Sequence, residues 1–191
     1  KWVRRILDTE AIQIFITGSS SKMSSAELPT ELRGRSWEIK VNPLTFREFL
    51  RFKTISIDFE KLAFIKSEMA RFHFLFDEYL IYGGLPAVVL SPPERKQELL
   101  QSYFRSVVQR DIAERYKIDN DTALKTLLKL LLNSTFITIS KLTNSLTSIG
   151  IPVGKSTIIS YLSYIESSYF TNELSIYNAK VINQMQYPRK I

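Results

Sequence analysis

The chain has 191 residues, 45% hydrophobic and 24% charged, with six glycines and seven prolines; such a composition can bury a real core and argues against disorder. It contains no cysteine, which excludes a disulfide framework and a thiolate metal site and fits a cytoplasmic setting. The net charge of +7 permits an anionic partner without naming one. The positive excess lies at the two ends: residues 1–53 hold ten Lys/Arg against six Asp/Glu and residues 116–191 eight against four, while residues 54–115 hold eight against nine. The longest stretch without a charged residue, Tyr79–Pro93, is broken by Gly83, Gly84 and Pro86. It falls short of the ~20 apolar residues a membrane span needs, so no membrane partner is expected. The opening KWVRRILDTEA mixes basic and acidic groups without an apolar h-region and is no signal peptide.

In chain order, Ala11–Ile16 is a β-branched and aromatic run, apolar on both faces apart from Gln13, as suits a strand buried in a parallel sheet. It ends at the small polar cluster Thr17-Gly18-Ser19-Ser20-Ser21, at the strand edge where open α/β sheets bind ligands. A short helix is expected near Ser24–Glu31, followed by Leu32-Arg33-Gly34-Arg35 and a second strand over Trp37–Val41. Two strands do not make a stable sheet domain. Further strands are therefore expected ahead of Ile12, in a longer protein; the start at Lys1 rather than Met agrees.

Thr45-Phe46-Arg47-Glu48 has capping-box spacing, which predicts a helix from Phe46 with an apolar stripe of Phe46, Phe49 and Leu50. A helix-rich stretch from Asp58 to Tyr82 should stop at Gly83-Gly84. Pro92-Pro93 opens a helix expected over Glu94–Tyr116, where Leu99, Leu100, Tyr103, Phe104, Val107, Val108 and Ile112 recur at helical spacing. Asp111 and Arg115 are placed for an i, i+4 pair.

The last third reads as three helices, Asp121–Asn133, Thr138–Thr147 and Ser156–Ser168, with Lys125 and Lys129 on the polar side of the first. Gly150 and Pro152 punctuate the turn before the third, whose Ile158, Leu162, Ile165 and Tyr169 are spaced for burial. Strand-like runs follow at Thr171–Tyr177 and Ala179–Gln186. This order predicts a winged helix with the third helix in the recognition position. Its exposed face would carry Lys155, Ser156, Ser160 and Ser163, with Glu166 opposing Lys155. Lys141, Lys180, Arg189 and Lys190 could add positive charge from neighbouring elements. DNA is thus a candidate partner, met mostly through phosphates; use of the fold for packing or protein interaction is the alternative.

Three motifs are set aside. Gly154-Lys155-Ser156-Thr157 resembles the end of a P-loop, but Gly150 is one residue too close to Gly154 and the segment before it is helical rather than a strand. His73, the one histidine, has no acidic cluster at ligand spacing and reads as a packed or surface residue. Glu94-Arg95-Lys96 echoes half of a nuclease motif but opens a helix instead of lying on a strand.

The stretches IFITGSSSKMSSAELPTELRGRSWEIKVNPLTFREFL, FDEYLIYGGLPAVVL and SYFRSVVQRDIAERYKI together resemble a large family of archaeal and bacterial AAA+ type ATPases. In that family a P-loop domain is followed by a helical and winged-helix region. The resemblance implies that Thr17, Ser19 and Ser20 stand at sensor positions near the γ-phosphate or its attacking water. It also implies that Arg35, with Arg33 as alternate, stands where an arginine finger reaches a neighbouring subunit's nucleotide. Without it the same residues read as a serine-rich turn and surface arginines.

The family's Walker A loop and Walker B acid have no counterpart here, so ATP and magnesium belong to the parent and hydrolysis by this chain alone is not expected. The expected fold is α+β and predominantly helical: residues 1–44 the tail of an ATPase core, 45–116 a helical connector and 117–191 a winged helix. The expected partner is the missing ATPase core or a neighbouring ATPase subunit. A nucleic-acid-binding winged-helix protein and an inert gene remnant are the competing readings.

Overall fold

A computed structural model describes residues 2–18, 35, 37, 39–134, 136–172, 174, 176–180, 182, 189 and 190. In chain order its elements are α1 (Trp2–Thr9), α2 (Phe46–Phe52), α3 (Lys66–Tyr82), α4 (Pro86–Leu90), α5 (Pro93–Ser106), a π-helix (Val107–Glu114), α6 (Asp121–Leu132), β1 (Phe136–Ile137), α7 (Ile139–Ser148), α8 (Lys155–Ser167) and β2 (Arg189–Lys190). The chain is predominantly helical. It divides into two compact units, Ile39–Arg105 and a second made of Lys1–Glu38 with Ser106–Ile191.

In the first unit, α2 begins where the capping box places it. Thr45 Oγ1 accepts from the Glu48 amide at 3.4 Å, and Glu48 Oε2 accepts from the Thr45 amide at 2.8 Å. These bonds satisfy two helix-end donors and hold the Glu48 carboxyl below its usual range; the Thr45 amide is the largest cause. Helix α2 then buries Phe49 and Leu50 in a core with Ile57, Leu75 and Val89. The Phe46 ring lies between 5.1 and 5.9 Å from the rings of Phe49, Phe72, Phe76 and Tyr79, separations at which offset and edge-on aromatic pairs attract.

Two backbone ties close this core. The Leu44 amide donates to the Gly84 carbonyl at 2.8 Å, and Tyr79 Oη donates to the Leu44 carbonyl at 2.9 Å. Helix α3 stops at Gly83 with φ 72° and ψ −168°, a conformation essentially reserved for glycine. A Cβ on Gly84 would overlap the Leu44 carbonyl oxygen.

The same unit holds a charged cluster. Glu78 of α3 accepts from Lys96 Nζ of α5 at 2.7 Å and from Lys53 Nζ, just past α2, at 2.7 Å. Lys96 is 2% exposed, reaches the Val89 carbonyl at 3.4 Å and lies 5.4 Å from the Tyr82 ring centroid. Burial pushes the Glu78 carboxyl up, but hydrogen bonds and charge from Lys53 and Lys96 outweigh it and leave it below the usual range.

In the second unit, α6 starts at Asn120, whose side chain accepts from the Ala123 amide at 2.9 Å. It buries Leu124, Leu127, Leu128 and Leu131. Helix α7 adds Leu142 and Leu146, and α8 adds Ile158, Tyr161, Leu162 and Ile165. Strand β1 pairs antiparallel with β2, Phe136 opposite Lys190, and Leu174 bridges to Lys190 on the other side. The sheet order is thus β1, β2, then Leu174.

Across the two units four helix ends share one device. Thr54, Lys117, Gly150 and Tyr169 have φ of 58°, 50°, 82° and 56°. Each donates its amide three residues back, and the next amide reaches five back, as in Ile118 to Ala113 and Ile151 to Leu146. These are Schellman closures, three of them built without glycine.

Several expectations change here. Ala11–Ile16 and the described residues of Trp37–Val41 form no strand; Phe15 is 82% and Trp37 93% exposed. A strand exists only by pairing, and no described segment pairs with either run. The helix expected over Glu94–Tyr116 turns π-helical after Ser106; there Gln109 Nε2 reaches Glu114 Oε1, five residues on, at 3.2 Å, the spacing of that wider turn. The Asp111–Arg115 pair forms at 3.2 Å. Tyr169 is exposed beyond the end of α8, while Tyr161 is buried. In Ala179–Gln186, Ile182 is helical rather than extended. Asn178 Oδ1 accepts from the Lys180 amide at 2.9 Å, an Asx turn that breaks the run. The helix expected near Ser24–Glu31 lies outside the described residues.

Three outcomes test this packing. Gly84→Ala is expected to destabilise the chain by about 2 kcal/mol or more, because the intruding Cβ meets backbone that cannot swing away; a urea unfolding midpoint unchanged from wild type would contradict the tie. Glu78→Ala is expected to cost about 3–5 kcal/mol by leaving Lys96 buried without its carboxylate, and adding Lys96→Met is expected to recover much of that. The pH sign follows from the lowered Glu78 value: the pair's contribution is fully present above the ordinary glutamate range and is lost as pH falls through the lowered value. Acid unfolding curves of wild type and Glu78→Gln should therefore converge as pH falls.

Candidate functional site

The proposed nucleotide-facing residues come from the segment between α1 and α2. Thr17 lies in irregular chain after Ala11–Ile16 and is exposed. Ser19, Ser20 and Arg33 lie outside the described residues. Arg35 is described: its side chain is 59% exposed, and its Nη1 donates to the Asp8 carboxylate in the last turn of α1. Asp8 was not among the residues the sequence singled out. Its signal is the end of α1, where RILDTE has an acid near a helix C-terminus, an end at which a cation is favoured.

The second set lies on α7, α8 and the segment beyond them. Lys141 is exposed in the first turn of α7, its amide capped by Thr138 Oγ1 at 3.2 Å. Lys155 and Ser156 are exposed at the start of α8, Ser160 is half-buried and Ser163 exposed. Lys180 is exposed in the turn after Asn178. Helices α7 and α8 pack against each other, which puts the Lys141 and Lys155 helices side by side. Ile149, just past α7, and Ile159 of α8 are also exposed, at 57% and 55%; their isolated positions gave no periodic signal.

Gly154-Lys155-Ser156-Thr157 opens α8 directly behind α7, with Gly154 as an extended N-cap at φ −67° and ψ 153°. A P-loop follows a strand, and this one follows a helix. Glu94-Arg95-Lys96 sits in the first turns of α5, with Lys96 turned inward to Glu78. His73 is exposed and meets Phe72 edge-on at 5.7 Å. Among the described residues no three His, Cys, Asp or Glu side chains gather to hold a metal ion, and no described helix is long and apolar enough to cross a membrane. A shallow hollow is lined by Leu100, Gln101, Phe104 and Arg105.

Burial is the main cause that raises the Tyr161 hydroxyl above its usual range, with the charge of Asp119 adding to it. Tyr161 thus stays a neutral core residue of α8. Beside it the Tyr116 and Tyr164 rings stack at 3.8 Å.

Comparison with known proteins places these two sets in different matches. Residues 1–50 match an AAA domain family, which covers Thr17 and Arg35. Residues 73–190, well over half of the chain, match a family described as a domain of unknown function (DUF8612). An uncharacterized protein of Methanocaldococcus jannaschii is 34% identical over 183 residues, 94% of this chain and 41% of the relative. An uncharacterized protein of Haemophilus influenzae is 34% identical over 169 residues, 87% of this chain and 40% of the relative. The chain thus spans about two fifths of the length of these relatives. No solved structure matches it. The N-terminal match supports an AAA-type, ATPase-like relationship, and the chain belongs to the DUF8612 family, whose domain spans residues 73–190.

Proposed function

We propose that the chain is the C-terminal part of an AAA+ type ATPase subunit, supplying sensor residues and an arginine finger to catalysis completed elsewhere. The observation that carries this reading is the AAA domain match over residues 1–50, which takes in Thr17, Ser19, Ser20, Arg33 and Arg35. The exposure of Arg35 and Thr17 supports it, since a finger must reach a partner's phosphates. In this reading residues 1–44 end the ATPase core, 45–116 connect, and 117–191 form a winged helix. The chain's own residues do not fit a magnesium–ATP site: its GKST run opens α8 behind a helix. ATP and magnesium would be held by a P-loop core, in the missing part of the subunit or in its neighbour. Arg35 would place bidentate donors at the phosphoryl group as charge builds there, and Arg33 is its alternate.

A second reading, duplex DNA binding through residues 117–191, draws on the strand order. A winged helix needs a strand between its first two helices to pair with the returning strand of the wing. The pairing of β1 with β2, and of Lys190 with Leu174 beyond it, agrees with that order. The exposed Lys141, Lys155, Lys180 and Lys190 supply phosphate contacts. Ser156 and Ser160 would face the bases, where serine discriminates little.

The chain alone is expected to show no ATP turnover, and Lys155→Ala should leave that unchanged. In a full-length subunit, Arg35→Ala is expected to cut hydrolysis by about 10³–10⁵ while sparing ATP binding; equal turnover in a steady-state assay would rule the finger out.

For DNA, fluorescence titration of unrelated labelled duplexes should give weak binding with little sequence preference. The slope of log K against log salt should be no steeper than about −4.5 if Lys141, Lys155, Lys180, Arg189 and Lys190 each contact one phosphate. Nanomolar, sequence-selective binding at physiological salt would contradict this account. No binding at low salt would remove the DNA reading altogether.

A further inference from the structure

Arg35, the proposed finger, is already engaged. Its Nη1 donates to the Asp8 carboxylate. Asp8 lies in the last turn of α1, which has no basic residue there, so the carboxylate and the negative end of the helix dipole act together on a nearby cation. Both side chains face water, at 59% and 42% exposure, so the attraction is weak and reversible. Work at a phosphoryl group draws on the full positive charge of a guanidinium and on its paired donors. A carboxylate on one Nη occupies a donor and offsets the charge. The two engagements therefore compete.

We infer that Asp8 is an autoinhibitory resting partner for Arg35, holding it on α1 until a neighbouring nucleotide displaces the carboxylate. This rests on the finger reading. The alternative, a carboxylate that positions the finger while it works, would keep the opposing charge beside the phosphoryl group during transfer.

The two roles predict opposite changes. In a full-length subunit at saturating ATP, Asp8→Asn is expected to raise turnover by up to about fivefold, the range open to an exposed ion pair. Arg35→Ala should cut turnover by the same factor of about 10³–10⁵ with or without Asp8→Asn. Because salt screens an exposed pair, the ratio of Asp8→Asn to wild-type turnover should fall towards one as ionic strength rises. In this chain itself, the side-chain Nε–H signal of Arg35, assigned by its loss in Arg35→Lys, should shift in Asp8→Asn. Unchanged or lowered turnover in Asp8→Asn, a salt-independent ratio, or an unshifted Arg35 signal would each overturn the inference while leaving the finger reading intact. Wild-type turnover in Arg35→Ala would overturn both.

Discussion

Residues 39–105 converge on one carboxylate. Apolar burial draws Phe49, Leu75 and Val89 together, but that attraction has no direction and tolerates sliding. Glu78 does not. Removed from water, it needs its charge met from outside α3, and it is met twice: by Lys53 just past α2 and by Lys96 from α5. Lys96, almost wholly buried, needs Glu78 in return. An ion pair of this kind adds little net stability over apolar residues of similar volume, while losing one partner is expensive. Its effect is to fix how α2, α3 and α5 are set against one another along and around their axes.

The backbone ties at Leu44 work in the same direction. VNPLTFREFL and YGGLP are separated by 31 residues of sequence. They meet where Leu44 bonds both Gly84 and Tyr79. These are the most recognisable stretches of the chain, and their role in this unit is structural: one supplies a capped helix entry, the other two glycines that let backbone approach backbone. The residues proposed to touch phosphate lie outside both. Family likeness in these motifs therefore speaks to the scaffold, and the chemistry has to be argued separately from Thr17 and Arg35.

What was legible in the sequence divides along physical lines. Local signals read well: the Thr45–Glu48 box, the stop at Gly83, the leucine face of α6 and the punctuation at Gly150 each act within a few residues. Non-local facts did not. Ala11–Ile16 has the composition of a buried strand, yet composition cannot supply a pairing partner. The π-helical turn after Ser106 was hidden because Leu99 to Ile112 fits ordinary helical spacing. Lys96 looked like half of a motif; its true partner is eighteen residues earlier, on another helix. Of the candidate site, Arg35, Lys141, Lys155, Ser156 and Lys180 are exposed and Ser160 is half-buried, while Asp8 emerged only when the chain was folded.

The two exposed runs leave a practical consequence. Ile12, Phe15, Ile16, Trp37, Ile39 and Val41 are rich in β-branched and aromatic side chains and open to solvent, and Ala11–Ile16 carries no charged residue. Among the described residues nothing pairs with Ala11–Ile16, and an exposed, uncharged apolar segment of that length is a template for intermolecular sheet growth. Handled at high concentration, this chain would tend to self-associate through Ala11–Ile16. A lysine placed at Phe15 would act as a gatekeeper against it.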